Sequence, residues 1–267
     1  MKKKDDDDAP KGGSKVSGKE KEIKQSKTDP ESGFMHREGK PKGFFYLDHR
    51  TVDAKANIIT DVHVTAGNVA DNVPYIDRLK RQIEAFGFEV ETAVADAGYN
   101  NVYIAKDLYE MGIIGVMGYR RTAGAKGKYR KHKFKYIPEW DVYICPESCC
   151  ENCPRRDECL TEKQKRKMLT RHIWEDYKDF VRLNTLSAVG KEIYAKRKER
   201  IERSFADAKE LHGLRYCRMR GLDGVREQCL LTAATQNMKK IATVLSRRAS
   251  SFLQKYPLFS HKHALQT

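Results

Sequence analysis

The order of strand-like and helix-like segments between residues 43 and 119 restricts the fold more than any other feature of the chain. Two stretches rich in β-branched and aromatic residues flank a short polar turn and predict a β-hairpin. An amphipathic helix ended by Gly87 follows, and then strand, helix and strand alternate. The segments lie at 44–52, 58–64, 72–86, 89–95, 102–111 and 113–119. A hairpin followed by α/β units predicts an α/β fold with a mixed sheet and flanking helices.

Asp96 follows the predicted strand at 89–95 and opens the sequence DAGYN. Its carboxylate is therefore expected at the carboxyl end of a buried strand. Open α/β sheets gather their ligands at that edge. On this ground Asp96 is a candidate site residue.

A long helix predicted from 187 to 211 carries a second candidate carboxylate, Glu202. Four residues of this helix are spaced i, i+4, i+7 and i+11 and share one side of it, namely Lys198, Glu202, Phe205 and Lys209. One carboxylate between two lysines and an aromatic ring is typical of a binding face. Solvated helices also carry Lys–Glu pairs at i, i+4, and the spacing alone leaves that interpretation open.

A last helix is predicted from Gly224 to Leu245. Its apolar face is expected to pack on the sheet, and it consists of Leu230, Ala234, Met238, Ile241 and Leu245. The residues after Ser246 are polar and basic, and they are expected to form a flexible tail.

Charge restricts the class of partner. The chain has 52 Lys and Arg against 37 Asp and Glu, a formal net charge of +15 at pH 7. This excess favours a polyanion, and nucleic acid rather than a membrane surface, because no basic amphipathic helix carries a strong apolar face. No apolar run approaches the roughly 18 residues of a membrane span, and the N-terminus lacks a signal peptide's apolar stretch. We therefore expect a cytoplasmic, bacterial-type protein without a membrane partner.

The segment 120–136 gives the strongest compositional signal for nucleic acid. It is rich in Lys and Arg, contains no acid, and interleaves Tyr129, Phe134 and Tyr136. Cations neutralise phosphates, and aromatic faces stack on bases. The predicted DNA-binding residues here are Arg120, Arg121, Lys128, Arg130 and Lys131. A basic loop without a partner is the alternative.

Most of the cysteines lie between 145 and 159, in the sequence CPESCCENCPRRDEC. Cys150 and Cys153 have the C-x2-C spacing that closes on a tetrahedral zinc ion. The candidate ligands are Cys145, Cys150, Cys153 and Cys159, with Cys149 as the alternative to Cys145. A Cys-rich loop without metal stays open, whereas disulfides are disfavoured because the chain shows no export signal.

Three separated blocks, in the expected order, resemble the DDE transposases of bacterial insertion sequences, in the subgroup with a Cys-rich insertion before the final helix. The blocks are GFFYLDHRTVDAKANIITDVHVTAGNVADN at 43–72, DAGYN at 96–100, and ERSFADAKELHGLRYCRMRG at 202–221 with LLTAATQNMKKIA downstream. The likeness spans about residues 28 to 248.

The resemblance implies an RNase H-like fold, in which two Asp and one Glu hold two Mg²⁺ or Mn²⁺ ions for attack on a DNA phosphodiester. It assigns the second Asp to Asp96 and the Glu to Glu202. The family's Tyr, Arg, Glu, Lys signature is matched by Glu202 and Lys209. Lys198 stands where Arg is usual, and Tyr194 is one position off. The implied role of these cations is to bind phosphate near the metals.

The family's first Asp lies on an opening strand ahead of the hairpin, and nothing before Phe44 resembles such a strand. Asp48 and Asp61 belong to the hairpin and are not expected to replace it. Residues 1–33 combine lysines and acids without an aromatic residue, which is typical of disorder. The expected organisation is a disordered lead-in at 1–33, a truncated RNase H-like domain at 34–121 and 186–246, a basic and Cys-rich insertion at 122–185, and a flexible tail at 247–267.

These observations predict a DDE transposase fragment with impaired catalysis that acts on DNA at transposon ends and target, near the nucleoid. Three further partners stay open: a second copy, an intact transposase, or a separate chain that supplies the missing Asp. A zinc-containing DNA-binding or regulatory protein without catalysis is the alternative from another class.

Overall fold

The computed structural model describes residues 24–36, 39, 41–119, 129–147, 150, 152–160, 162 and 164–255. Its first sheet is antiparallel, in the order β1-β2-β3, and it contains the predicted hairpin. The strands are β1 (Gly33–Met35), β2 (Gly43–Val52) and β3 (Ile59–Ala66). Asn57 in the connecting turn has a positive φ of 57°, which is accessible to Asn at small cost.

The predicted α/β units follow the hairpin. Helix α1 (Tyr75–Phe86) ends at Gly87, whose φ of 64° closes the helix in the left-handed conformation. Strand β4 (Thr92–Ala95), helix α2 (Val102–Glu110) and strand β5 (Ile114–Met117) form a parallel unit in which Thr92 to Ala95 pair with Ile114 to Met117. A main hydrophobic core lies between this pair of strands and the helices α1, α2 and α4 (Glu175–Leu186). The side chains of Leu108, Met117 and Val181 are fully buried there.

The mixed α/β class is confirmed, but the described strands do not form one mixed sheet. The hairpin sheet and the β4–β5 pair are separate within the described residues. A third sheet, antiparallel, consists of β6 (Lys135–Ile137) and β7 (Val142–Ile144) and lies in the basic and Cys-rich region. A short helix, α3 (Arg156–Cys159), follows it.

The long helix expected at 187–211 is present, with one irregular turn. It consists of α5 (Ala188–Arg197), a π-helical turn at Lys198–Glu202, and α6 (Arg203–Leu211). The Ser187 side chain caps its N-terminus by accepting a hydrogen bond from the Gly190 N–H at 2.9 Å. The last helix, α7, is longer than expected and runs from Gly221 to Lys255. No helix within the described ranges has a stretch both long and apolar enough to cross a membrane.

The prediction of which face of α7 packs on the sheet was wrong. The buried apolar residues are Val225, Cys229 and Ala233, whereas Leu230 and Met238 are 48% and 67% exposed. Polar contacts select this face. The Asn237 amide donates to the Ile59 carbonyl at 2.8 Å and accepts from the Ile59 N–H at 2.9 Å. These two hydrogen bonds require Asn237 to face Ile59, and they therefore fix the rotation of α7 about its own axis.

The expected lead-in and tail both end at other residues. Within 24–33, the Asp29 carboxylate accepts a hydrogen bond from the Tyr46 hydroxyl at 2.7 Å, which attaches this segment to β2. At the other end, residues 246–255 continue α7. The sequence there contains neither glycine nor proline, so nothing in it interrupts a helix. The remaining parts of both predicted segments lie outside the described residues.

Candidate active site

Asp96 lies where the sequence predicted, directly after β4. One carboxylate oxygen, Oδ1, accepts a hydrogen bond from the Gly98 N–H at 2.7 Å, so the side chain is held across its own turn. Tyr99 packs beside it on Tyr75, with ring centroids 5.0 Å apart. Burial raises the pKa of Tyr99 to about 12, and the carboxylates of Asp71 and Asp96 add to this effect. Two acidic side chains therefore face Tyr99 at this end of the fold.

Glu202 closes the π-helical turn and is 45% exposed. Its Oε1 accepts a hydrogen bond from Nη2 of Arg197 at 2.6 Å. The Arg197 guanidinium also lies 5.6 Å from the centre of the Tyr194 ring. Tyr194, Arg197 and Glu202 thus form one continuous contact along this side of the helix.

Tyr194 links this contact to the strand that carries Asp96. A Cβ atom placed on Gly118 would lie 2.6 Å from the Tyr194 hydroxyl and 3.0 Å from the Ala97 backbone nitrogen. The hydroxyl therefore packs against the backbone just after β5 and β4, one residue from Asp96. A side chain at Gly118 would make the Tyr194 hydroxyl shift and would lie tight against the Ala97 backbone.

The π-helical turn explains the mismatch between the sequence and the Tyr, Arg, Glu, Lys signature. Tyr194 and Arg197 both lie one residue too early for a regular helix, and the π turn holds one extra residue. This turn brings Arg197, and not Lys198, onto Glu202. Lys198 is exposed on the same turn. Its predicted DNA contact stays a prediction.

A buried polar network supports the helix immediately after Glu202. Arg50 of β2 lies 3.5 Å from the Ser204 hydroxyl and 3.4 Å from Oε1 of Gln236 in α7, and it covers the Phe205 ring at 5.4 Å. The Ser204 hydroxyl and the Gln236 amide are themselves 2.9 Å apart. The guanidinium of Arg50, on the hairpin strand β2, therefore contacts both α6, which follows Glu202, and α7.

Asp48, also on β2, accepts a hydrogen bond from Nε of Arg50 at 2.7 Å. Burial raises the pKa of the Asp48 carboxyl, and the charges of Arg50, Arg78 and Lys209 act in the opposite direction. This ion pair faces away from solvent. The Asp48 carboxylate is therefore engaged with Arg50 inside the hairpin.

The chemistry of Asp96 and Glu202 suits a divalent cation, because carboxylate oxygens are the ligands that Mg²⁺ and Mn²⁺ prefer. The set is incomplete in the part of the chain that the structure describes. No three His, Cys, Asp or Glu side chains lie close enough there to hold a metal ion. Two carboxylates alone do not complete a site for such a cation.

The structure describes only some of the other predicted DNA-binding residues. Arg120, Arg121 and Lys128 lie outside the described residues. Arg130 is exposed, and Lys209 is exposed on α6. Lys131 lies 3.4 Å from the Glu175 carboxylate and over the Tyr143 ring at 5.4 Å.

A cleft of about 640 Å³ opens beside Asp96, between the ends of β4 and β5 and the basic and Cys-rich region. Ala97 and Tyr119 line one wall, and Lys131 and Tyr136 line the wall opposite. Helix α4 contributes four charged side chains, which are Glu175, Lys178, Asp179 and Arg182. The sequence did not indicate this cleft, because its walls come from segments far apart in the chain.

Residues 123–242 match the protein-family model described as the transposase DDE domain. The resemblance to DDE transposases is confirmed over this segment. The match to the transposase domain covers slightly less than half of the chain, includes Arg197, Glu202 and Lys209, and ends short of Asp96 on the N-terminal side. Searches of curated proteins and of solved structures gave no match.

The transposase match also runs through the cysteine cluster. Cys159 is buried against Phe134, Leu160 and Cys145. Burial raises the pKa of the Cys159 thiol, and the neighbouring Cys145, Cys150 and Cys153 raise it further. The four cysteines therefore share one region, although those described do not form a complete metal site. Cys149 lies outside the described residues.

Proposed function

We propose that this chain acts in DNA transposition through metal-dependent attack on a phosphodiester bond, with Asp96 and Glu202 as two of the metal ligands. The observation that carries the proposal is the contact from Glu202 through Arg197 and Tyr194 to the strand end beside Asp96. This contact supports the proposal that the two carboxylates act together. The match to the transposase DDE domain supports the reaction class.

Each group in this arrangement has a chemical role in the proposal. A divalent metal, when bound, supplies the activation of water or of a DNA 3′-hydroxyl and the neutralisation of phosphate charge. Asp96 and Glu202 bind the metal, and Arg197 orients Glu202 and offers its remaining N–H donors to a phosphate oxygen. Tyr194 fixes the distance between the helix and the strand end.

The DNA backbone is proposed to lie across the basic surface that surrounds these residues. Arg130, Lys131, Lys198 and Lys209 are its proposed phosphate contacts among the described residues. A formal net charge of +15 supplies a long-range attraction to DNA. Binding is therefore expected to weaken steeply with salt, because each neutralised phosphate releases counterions.

Metal binding tests the proposed function. We expect saturable binding of Mn²⁺ in calorimetric titrations, and a loss of at least about tenfold in affinity in Asp96→Asn and in Glu202→Gln, since each removes one anionic ligand. Glu199→Gln is the matched control, because Glu199 is an exposed carboxylate on the same π-helical turn. Its affinity for Mn²⁺ should stay within about twofold of the parent chain.

Binding that is indifferent to both Asp96→Asn and Glu202→Gln would overturn the proposal. DNA binding that persists without any metal-dependent cleavage, and that fails when Cys150 or Cys153 is replaced, would favour the zinc-containing DNA-binding protein. Restoration of cleavage by a separate upstream segment that carries an Asp would identify the missing ligand as one supplied in trans.

We also propose that the cysteine cluster holds one structural zinc ion. Purified chain should contain about one zinc per molecule, and Cys153→Ser or Cys159→Ser should remove most of it, because tetrahedral thiolate sites fail when a ligand is lost. The matched control is Cys217→Ser, since Cys217 is exposed and distant in sequence from the cluster. Elemental analysis measures the zinc content of the parent chain and of these three variants. Equal zinc content in all of them would contradict this site.

A further inference from the structure

The cleft beside Asp96 has the composition of a site for an unpaired strand. Its aromatic walls are paired with cations. The Arg171 guanidinium lies 3.9 Å from the centre of the Tyr136 ring, and the Arg182 guanidinium lies 5.2 Å from the centre of the Tyr119 ring. Proteins that bind single-stranded nucleic acid combine aromatic faces with cations in this way.

The cations of the cleft are not all neutralised. Arg171 donates hydrogen bonds to Asp176 and Asp179, so its charge is already balanced. Lys178 and Arg182, in contrast, form no ion pair with a carboxylate among the described residues. Two cations on one helix, beside exposed rings, therefore remain for an anionic group.

Size decides which form of DNA the cleft accepts. A volume of about 640 Å³ is within the range of roughly 300 to 1,000 Å³ that holds a small organic ligand. One or two nucleotides fill such a space, whereas a duplex does not enter it. Tyr119 is 51% exposed, so its ring is available to stack on a base.

We propose that this cleft binds one or two unpaired nucleotides of a DNA strand, with a base stacked on Tyr119 and its phosphate bound by Lys178 and Arg182. The cleft begins at Ala97, the residue after Asp96. A strand held there therefore passes the end of β4, the strand that Asp96 directly follows. The inference rests on the proposed function for its choice of DNA, and it goes further by specifying a single-stranded segment at a defined place.

The test compares a blunt DNA duplex with the same duplex carrying a short unpaired tail. Affinities are measured by fluorescence anisotropy without divalent metal, so that neither cleavage nor metal binding contributes. The parent chain should bind the tailed duplex roughly tenfold more tightly, the effect expected for one or two stacked bases. Tyr119→Ala and Arg182→Ala should abolish most of this preference and leave the affinity for blunt duplex within about threefold.

Three variants serve as controls for this comparison. Tyr119→Phe should retain the preference, because stacking uses the ring and not the hydroxyl. Tyr216→Ala and Arg248→Ala remove an exposed tyrosine and an exposed arginine outside the cleft. They should bind both DNAs like the parent chain. A 2-aminopurine base in the tail should also lose fluorescence on binding, and recover it in Tyr119→Ala.

The failure of this proposal is distinguishable from failure of the proposed function. Equal affinity of the parent chain for both DNAs would overturn the cleft proposal, whatever the Mn²⁺ titration gives. A preference for the tail that survives both Tyr119→Ala and Arg182→Ala would overturn it as well. If Asp96→Asn and Glu202→Gln leave the affinity for Mn²⁺ unchanged while the preference for the tailed duplex persists, the proposed function fails. The cleft proposal then stands.

Discussion

Replacing Arg197 by alanine is expected to lower the rate of metal-dependent DNA cleavage at saturating DNA by roughly 10- to 100-fold, the range for losing one charge-assisted contact. Arg197 is 22% exposed and bonded to Glu202 at 2.6 Å, so its loss removes the contact that orients the Glu202 carboxylate. Lys198→Ala should keep that rate within about twofold. Because Lys198 is exposed, its removal should only weaken DNA affinity by a few-fold. Cleavage rates and DNA affinities measured for both variants separate the two roles.

Deletion of Lys198 is the control that addresses the π-helical turn itself. Removing one residue from this turn should restore regular α-helical geometry and leave Tyr194 and Arg197 on the same side as Glu202. Cleavage by the deletion variant should therefore stay within about threefold of the parent chain. If the deletion lowered the cleavage rate as much as Arg197→Ala does, the extra residue would not act as a local bulge.

The offset of Tyr194 shows how far sequence reasoning reached at this site. Helical periodicity correctly indicated a helix around Glu202, because the spacing of side chains depends mainly on local geometry. The resemblance placed Lys198 where the family has an arginine. The available signal was that Tyr194 and Arg197 deviate by one residue in the same direction. A shared offset indicates one inserted residue between them and Glu202.

The ends of strands and the buried faces of helices were harder to predict from the sequence, because both depend on the element that packs against them. The strand expected at 89–95 is only Thr92–Ala95, because its parallel partner Ile114–Met117 provides four pairing positions. The orientation of α7 was misjudged for a related reason. Apolar periodicity favoured Leu230 and Met238, but the hydrogen bonds of Gln236 and Asn237 to distant residues select the other face. Such bonds join residues that only the tertiary fold brings together.

No continuous sheet joins Asp96 to the hairpin in the described part of the chain. The two sheets are connected through the helices that pack on them. α5 packs on β4 and β5, and the π-helical turn and α6 pack on β2 and α7. Arg50 is the residue at which β2, α6 and α7 meet. The position of Glu202 therefore depends on a buried charge in the hairpin.

Replacing Arg50 by leucine is expected to destabilise the chain by about 3–5 kcal/mol at neutral pH, because it leaves the Asp48 carboxylate buried without its counter-charge. The Arg50 side chain has no exposed surface, and that of Asp48 is 14% exposed. Within the described residues, Oδ1 of Asp48 already lacks a hydrogen-bond partner. Urea unfolding at several pH values measures the effect. Arg81→Leu removes the exposed one of two arginines on Asp61 and leaves its pair with Arg78, so it should cost less than about 1 kcal/mol.

The pH dependence of the Arg50→Leu defect follows from the direction of the Asp48 pKa. Burial raises this pKa, and loss of the Arg50 charge removes the largest influence that lowers it. A raised folded-state pKa means that stability is retained at low pH, where the carboxyl is protonated, and is lost as the pH rises through that pKa. The defect should therefore shrink as the pH is lowered through the folded-state pKa. Adding Asp48→Leu to Arg50→Leu should recover most of the stability, since an apolar pair replaces the unpaired charge. A defect that is independent of pH and unrelieved by the second substitution would show that the helix contacts of Arg50 with Ser204, Gln236 and Phe205, and not its pairing with Asp48, dominate its contribution.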